Sequence, residues 1–367
     1  MSTIPETLTL NGQNYSGDDL RNHADFLSTS SAKVWEQSLG KFLLQWLDDR
    51  DYIEVMTSGS TGAPKLIKLC KKAMLASAAL TGEFLGLHEG QTALLCLRVE
   101  YIAGMMMVVR AMALRMNLVA VPPDGYPLDY IHANTKIDFA AMVPAQVYNS
   151  LKTEESRQKL ESFGTLIIGG APVSPDIEKL VTRLNGKIFA TFGMTETITH
   201  IALRRLNGKN RSDFYTVLSG ITIETDERGC LVTAVPHIEG GKVTTNDLVN
   251  IVSSTTFRWL GRADHVINCG GKKLIPEEIE RKIAHLISHR FFIAPLPDKK
   301  LGEIPVLVME TMPMPEIAME ELLNQLMTIL RKEETPRVIL QTGKFEETEN
   351  GKINRKESVR IAMRKES

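Results

Sequence analysis

Cysteine is scarce. Cys70, Cys96, Cys230 and Cys269 are the only four in 367 residues, far apart and with no CxxC pair. That argues against a disulfide scaffold or a thiolate metal site and fits a reducing cytosol. A charge excess of one sign is lacking too. Lys and Arg (43) balance Asp and Glu (44) to a net charge of −1, so no global field draws the chain to nucleic acid or an anionic membrane. No long apolar run is free of charge. The richest, YIAGMMMVVRAMALRMNLVAV, carries Arg110 and Arg115 and reads as a buried helix rather than a membrane span. The opening MSTIPETLTLNGQNYSGDDL has neither basic flank nor apolar core, so no signal peptide is expected. Internal repeats and low-complexity tracts are missing as well. These absences predict a cytoplasmic protein with no nucleic-acid partner and no membrane insertion.

What is present is ordinary globular material, 43% hydrophobic and 24% charged, over a length that suggests two or three domains. Strand-like and helix-like segments alternate: TALLCL (92–97), a helix over about 102–115, NLVAVPP, FAAMVPAQ, GTLIIGG, then a capped helix in SPDIEKLVTRL (174–184). Such alternation predicts an α/β layered fold. From about Thr222 to Phe257 short strands with Gly turns form a β-rich appendage. Beyond Gly261, PEEIERKIAHLISH, IPVLVME and MEELLNQLMTILRK predict a small α+β unit. The expected organisation is a large N-terminal domain, 1–263, and a small C-terminal domain, 264–367.

Residues 57–69, TSGSTGAPKLIKL, hold Thr57, Ser58, Gly59, Ser60, Thr61, Gly62 and Lys65. Their hydroxyls and backbone N–H groups can wrap a polyphosphate, with Lys65 as a mobile point charge. A Walker loop reads GxxxxGK[ST] and leads from a strand into a helix. Here the spacing is Gly59-x-x-Gly62-x-x-Lys65 and LIKLC after Pro64 predicts a strand, so the loop is expected between two strands. A Ser/Gly-rich surface turn is the bland alternative.

TSGSTGAPK resembles the signature loop of the adenylate-forming superfamily of acyl-CoA synthetases, peptide-synthetase adenylation domains and luciferases, and further motifs follow in the family's order over roughly residues 50–360. ATFGMTETITHIA (190–202) is similar to its aromatic-Gly-x-Thr-Glu motif. The resemblance implies that Phe192, beside Gly193, packs on adenine, that Thr195 meets the α-phosphate, and that Glu196 holds Mg2+, a hard cation suited to carboxylate oxygen. Alone, MTET reads equally as a helix cap with an acidic first turn. GGAPVS (169–174) is similar to the adenine-facing loop, with Gly169, Gly170 and Ala171 allowing close backbone approach, although many α/β turns look the same. TTNDLV (244–249) stands where the family has Thr-Gly-Asp, which implies ribose binding by Asp247. Asn246 replaces the Gly and tolerates a left-handed backbone. WLGRADHVINCGGKKLIPEEIE (259–280) resembles the hinge motif, with Arg262 meeting the ribose and Asp264 as hinge. His265 and Asn268 stand where Asp and Lys are common. ENGKINRKES (349–358) resembles the terminal Gly-Lys motif, which implies that Lys352 is the catalytic lysine; otherwise it is one more exposed Lys in a basic tail. The GEL-type motif reads Gly229-Cys230-Leu231 here, with no role lost.

The resemblance implies two half-reactions: a carboxylate attacks the α-phosphorus of ATP, and a thiol then displaces AMP. Positive charge must meet the accumulating negative charge, which suits Mg2+ on Glu196, Lys65 and Lys352. It also implies that the small domain rotates about the hinge and sets Gly270, Gly271, Lys272 and Lys273 beside the CoA channel. The expected cofactors are ATP, Mg2+ and CoA, and the expected partners a small carboxylic acid and CoA, with room for an oligomer. The signature loop begins at residue 57, where longer members carry more chain before it, and short ligases with GMTET resemble the o-succinylbenzoate–CoA ligases of menaquinone biosynthesis. Those enzymes place an Arg six residues past the Gly of a PLFHxxG-like motif; in LRVEYIAGMMMVVR, six past Gly104 is Arg110, with Tyr101 in the His place. Arg110 then answers the substrate's second carboxylate, or else forms a structural salt bridge, while Thr199 and His200 line the acyl pocket. Other aryl- or fatty-acyl-CoA ligases, a stand-alone amino-acid adenylation enzyme, and a catalytically degenerate nucleotide-binding scaffold remain as alternatives.

Overall fold

The computed structural model describes residues 4–56, 66–238, 240–347 and 353–365. Thr57–Lys65 and Lys352 lie outside the described residues. Two compact units make up the chain. One comprises Met1–Thr222, Thr233–Val243 and Ser254–Thr256, the other Ile223–Val232, Thr244–Ser253 and Phe257–Ser367.

The first unit contains strands β1 (Thr7–Leu10), β2 (Gln13–Ser16), β3 (Tyr52–Met56), β4 (Leu66–Cys70), β5 (Thr92–Leu95), β6 (Asn117–Ala120), β7 (Phe139–Met142), β8 (Thr165–Ile168), β9 (Lys187–Gly193), β10 (His200–Arg205) and β11 (Tyr215–Val217). Parallel pairing runs from β1 through β6, β5, β7 and β8 to β9. Beyond β9, β10 and β11 continue antiparallel, as does β2 beyond β1. Every side chain of β7 (FAAM) and β8 (TLII) is buried, because a parallel sheet is covered on both faces and its strands read as unbroken apolar runs.

Helices α1 (Gly17–Ser30), α2 (Val34–Trp46), α3 (Lys71–Leu85), α4 (Ile102–Ala113), α5 (Pro144–Ser150), α6 (Glu154–Glu161) and α7 (Pro175–Val181) complete the unit. One sheet face packs Leu94, Ala140, Met142, Leu166, Ile168, Ile188 and Ala190 against Val147 of α5, Leu160 of α6 and Ile177 and Val181 of α7. Helix α4 packs on β5, β6 and β1 and against α3. It is buried continuously from Gly104 to Met112, as a helix apolar on all sides should be. The expected extension to Arg115 does not occur, because Arg115 takes a left-handed φ of 52° that ends the helix. Among the described residues no helix is long and apolar enough to cross a membrane.

Strands β3 and β4 form their own antiparallel hairpin, with Met56 opposite Leu66. The signature loop therefore joins two strands and leads into β4, not into the helix that a Walker loop requires.

The second unit takes most of the β-rich stretch, whose strands β12 (Thr222–Thr225), β13 (Cys230–Ala234), β14 (Lys242–Ser253) and β15 (Thr256–Arg262) are neighbours in that order. Its remainder is α+β. The strands are β16 (Ile267–Cys269), β17 (Lys272–Leu274), β18 (Phe291–Asp298), β19 (Gly302–Glu310) and β20 (Ile339–Thr342), and the helices α8 (Pro276–Ile283), α9 (Glu316–Ile329) and α10 (Arg355–Lys365). The sheet order is β17-β16-β19-β18, with β20 parallel on β19. Ile279 and Ile283 of α8, Leu326 of α9 and Ala362 of α10 close over Ile267, Phe292, Val306, Val308 and Leu340.

Gly104 fixes the start of α4. A Cβ there would lie 2.2 Å from Arg98 O and 2.8 Å from Val99 N, backbone atoms with no room to yield. Gly104→Ala is expected to destabilise the fold by about 1–3 kcal/mol, read as a lower denaturant midpoint. An unchanged midpoint would mean that the Arg98–Val99 backbone moves freely.

Candidate active site

In an open α/β sheet, ligands gather beyond the carboxyl ends of the parallel strands. Here β8 runs out at Ile168 into Gly169-Gly170-Ala171, and β9 ends at Phe192-Gly193. A Cβ on Gly169 would lie 2.1 Å from Thr191 Oγ1, and Gly170 has φ +80°. Both positions therefore need glycine on structural grounds as well as for any nucleotide. Phe192 meets Tyr215 edge to face, with centroids 5.7 Å apart.

After Gly193 the chain makes a single 3₁₀ turn, Thr195–Thr197, rather than opening a helix. Thr197 Oγ1 accepts from Met194 N–H at 3.0 Å and lies 2.7 Å from Thr199 O, pinning the turn. Ile198 then takes φ 68°. A buried β-branched residue rarely adopts that conformation, and it costs on the order of 1–3 kcal/mol. The reversal it produces starts β10 antiparallel to β9 and turns Thr199 and His200 back into the unit. Glu196 stays exposed on the turn. Among the described residues no three His, Cys, Asp or Glu side chains are grouped to hold a metal. One exposed carboxylate nevertheless fits Mg2+, which uses one or two carboxylates and takes its other ligands from phosphates and water.

Arg110, Thr199 and His200 come together with a residue the sequence did not flag, Thr81 of α3. Arg110 is 1% exposed. Its Nη2 donates to Thr199 Oγ1 at 3.0 Å, its Nη1 faces Met107 Sδ at 3.8 Å, and its buried Nε has no partner. Among the described residues no carboxylate pairs with it. The structural salt bridge that the sequence allowed is thus not found there. Burial pulls the guanidinium down to about 9. His200 lies between Thr199 (Nδ1, 3.3 Å) and Thr81 (Nε2, 3.1 Å). Burial, and then the Arg110 charge, push its imidazole well below the ordinary range. Tyr101 sits at the opposite end of α4, about 13 Å along the axis, and among the described residues no hydrogen bond joins it to this cluster. Thr81 had no local signal, since its partner is 119 residues away.

In the second unit, Asp247 is buried and accepts from Trp259 Nε1 at 2.9 Å. Burial raises its carboxyl against the opposing effects of that bond and of Arg262, 3.8 Å away. Oxygen lone pairs remain for ribose hydroxyls. Arg262 donates through Nε to Asp264 at 3.0 Å. His265 Nδ1 lies 2.5 Å from Glu277 Oε1, and a Cβ on Gly261 would collide with Glu277 Oε2 at 2.3 Å. Asn246 corrects one expectation. It sits inside β14 with extended backbone and needs no left-handed φ. Gly270 and Gly271, at φ 56° and 81°, form the two-residue turn between β16 and β17, with Cys269 opposite Lys272. Lys272 Nζ donates to Glu333 at 2.7 Å.

A family model described as AMP-binding enzyme matches residues 17–224. Among curated proteins, the 2-succinylbenzoate–CoA ligase of Escherichia coli K12 is 26% identical over 286 residues, covering 74% of this chain and 61% of that enzyme. The Salmonella typhimurium counterpart is 24% identical, covering 84% and 66%. The chain thus spans less than two thirds of these relatives' length. Among solved structures, an acyl-CoA synthetase (AMP-forming)/AMP-acid ligase II-like protein from Dyadobacter fermentans is 37% identical, covers 90% of this chain and 95% of its own, and superposes with a TM-score of 0.62. ATP-bound MatB from Rhodopseudomonas palustris, 15% identical, shares the fold with a TM-score of 0.81 over 98% of this chain and 96% of its own. With the family model matching more than half of its length, the chain belongs to the AMP-binding enzyme family.

Proposed function

We propose that this chain is an AMP-forming acid–CoA ligase whose acid carries a second carboxylate, 2-succinylbenzoate being the acid that fits. Arg110 is the observation that carries the reading: a buried cation, paired among the described residues only with a hydroxyl and a thioether, with one N–H unpartnered there. Burying a charge without a counter-charge is costly, and a carboxylate arriving there satisfies it. A plain alkyl or aryl acid does not. The names of the E. coli and Salmonella relatives add support.

In the first half-reaction the acid's other carboxylate attacks the α-phosphorus of ATP. The α–β bridging P–O bond breaks, its electron pair leaves with pyrophosphate, and an acyl-adenylate forms. In the second, the CoA thiolate attacks the acyl carbon and AMP departs. Phe192 and the Gly169–Ala171 loop take adenine, Asp247 and Arg262 the ribose, and Thr195 the α-phosphate. Mg2+ bound at Glu196 supplies positive charge to the phosphates. Lys65 offsets charge on the leaving group, and Lys352 bridges the attacking carboxylate and the α-phosphate. The small domain, from 264 on, turns about Asp264 between the two steps, and Gly270, Gly271, Lys272 and Lys273 then border CoA. Lys272 must leave Glu333 to reach a CoA phosphate.

Incubation with ATP, Mg2+, CoA and a panel of acids, read by mass spectrometry, should give a thioester with 2-succinylbenzoate and little with benzoate, fatty acids or amino acids. Product only with a monocarboxylate discards the second-carboxylate reading. Arg110→Met should cut kcat/KM for the diacid about a hundredfold while leaving the melting temperature unchanged or higher, because it removes an unpaired buried charge. A loss of about 3–5 kcal/mol in stability would instead mark a structural ion pair. Lys352→Ala should abolish pyrophosphate release yet convert supplied acyl-adenylate and CoA to thioester near the parent rate. Equal loss of both half-reactions refutes the rotation.

A further inference from the structure

The hydrogens around Arg110 can be assigned one by one. Thr81 Oγ1 donates to Ser77 O within α3 at 3.0 Å. A hydroxyl has one hydrogen, so towards His200 it can only accept. His200 Nε2, 3.1 Å away, is therefore the protonated nitrogen, and Nδ1 is left as an acceptor. Thr199 lies 3.3 Å from Nδ1 and gives its only hydrogen there. Its oxygen is then free to accept from Arg110 Nη2 at 3.0 Å. Every bond runs the same way, from the guanidinium to a helix carbonyl, and the imidazole stays neutral. Thr81 and His200 are 0% and 5% exposed, while Thr199 is half-buried.

We infer that Thr81 and His200 are positioning residues for acid selection: through Thr199 they hold Nη2 of the Arg110 guanidinium in place and leave its Nε–H for the acid's second carboxylate. This rests on the reading of Arg110 as a carboxylate receptor. Neither residue touches the acid: His200 acts from behind Thr199 rather than at the wall of an acyl pocket. The orientation also explains why an uncharged relay suits the place. A protonated imidazole would turn Nδ1–H towards Thr199, displace the Thr199 hydrogen and set a second cation beside Arg110. A carboxylate in place of Thr199 would pair with Arg110 and close it to substrate.

Steady-state kinetics on the whole chain test the inference, with 2-succinylbenzoate, ATP and CoA as varied substrates. Thr81→Val and His200→Phe should each raise KM for 2-succinylbenzoate about tenfold, with kcat and the KM values for ATP and CoA little changed. Thr81→Ser, which keeps the hydroxyl, should retain the parent KM. If Thr81→Val and His200→Phe weaken all substrates alike, or if Thr81→Ser behaves as Thr81→Val, the two residues serve packing and the inference falls. If they leave the diacid KM unchanged while Arg110→Met raises it, the relay is refuted and the Arg110 reading stands. If Arg110→Met itself leaves the diacid KM unchanged, that reading fails and the inference with it.

Discussion

Burial of the parallel strands on both faces is the constraint from which the first unit follows. Strands such as FAAM and TLII have no solvated face, so helices must cover each side, and α5–α7 on one face and α4 on another part of the sheet do so. The strand faces are then closed to ligands. What remains is the rim where β8 and β9 run out, and there the chain sets Gly169, Gly170 and Gly193, the 3₁₀ turn Thr195–Thr197 and Ile198 at its positive φ.

Within that frame one buried charge is treated unlike the others. The second unit pairs its buried charges: Asp247 with Trp259 and Arg262, Glu277 with His265, and Arg355 with Glu280 at 2.8 Å. The first unit likewise pairs its buried Lys71 with Asp48 at 2.9 Å and Lys159 with Glu155, yet among the described residues it leaves Arg110 with a hydroxyl and a sulfur atom. The contrast matters because a protein that pairs buried charges elsewhere has the means to pair this one too. A cation kept under-satisfied inside an apolar helix belongs with sites whose function requires strain or exposure of charge.

Much of the fold was legible because apolar runs and turn signals declare themselves locally. The alternation of strands and helices, the β-rich stretch after Thr222 and the strand after Pro64 could all be read along the chain. What was not legible depended on geometry. Arg115 ends α4 through its backbone angle, not its residue type. Asn246 reads as a glycine substitute in a turn, yet pairing makes it a strand residue. Arg110 stood out as a charge in an apolar helix, but whether a partner waited for it was a question of tertiary contacts. Thr81, in a run of small and apolar residues, carried no signal, because its meaning comes from a histidine on a strand far along the chain. Lys65 and Lys352 were legible only through their motifs.

The uncompensated cation of α4 bears on the protein's lifetime as well as its chemistry. A folded state that holds an unanswered charge is a shallower minimum empty than when an anion occupies it, and mass action deepens that minimum in proportion to the logarithm of ligand concentration. Proteases that sample opened molecules follow the population of the open form. On the proposed reading, in which the acid's second carboxylate answers Arg110, a cell making the acid would keep more of this protein than one that is not: supply of the acid would set how long each copy survives.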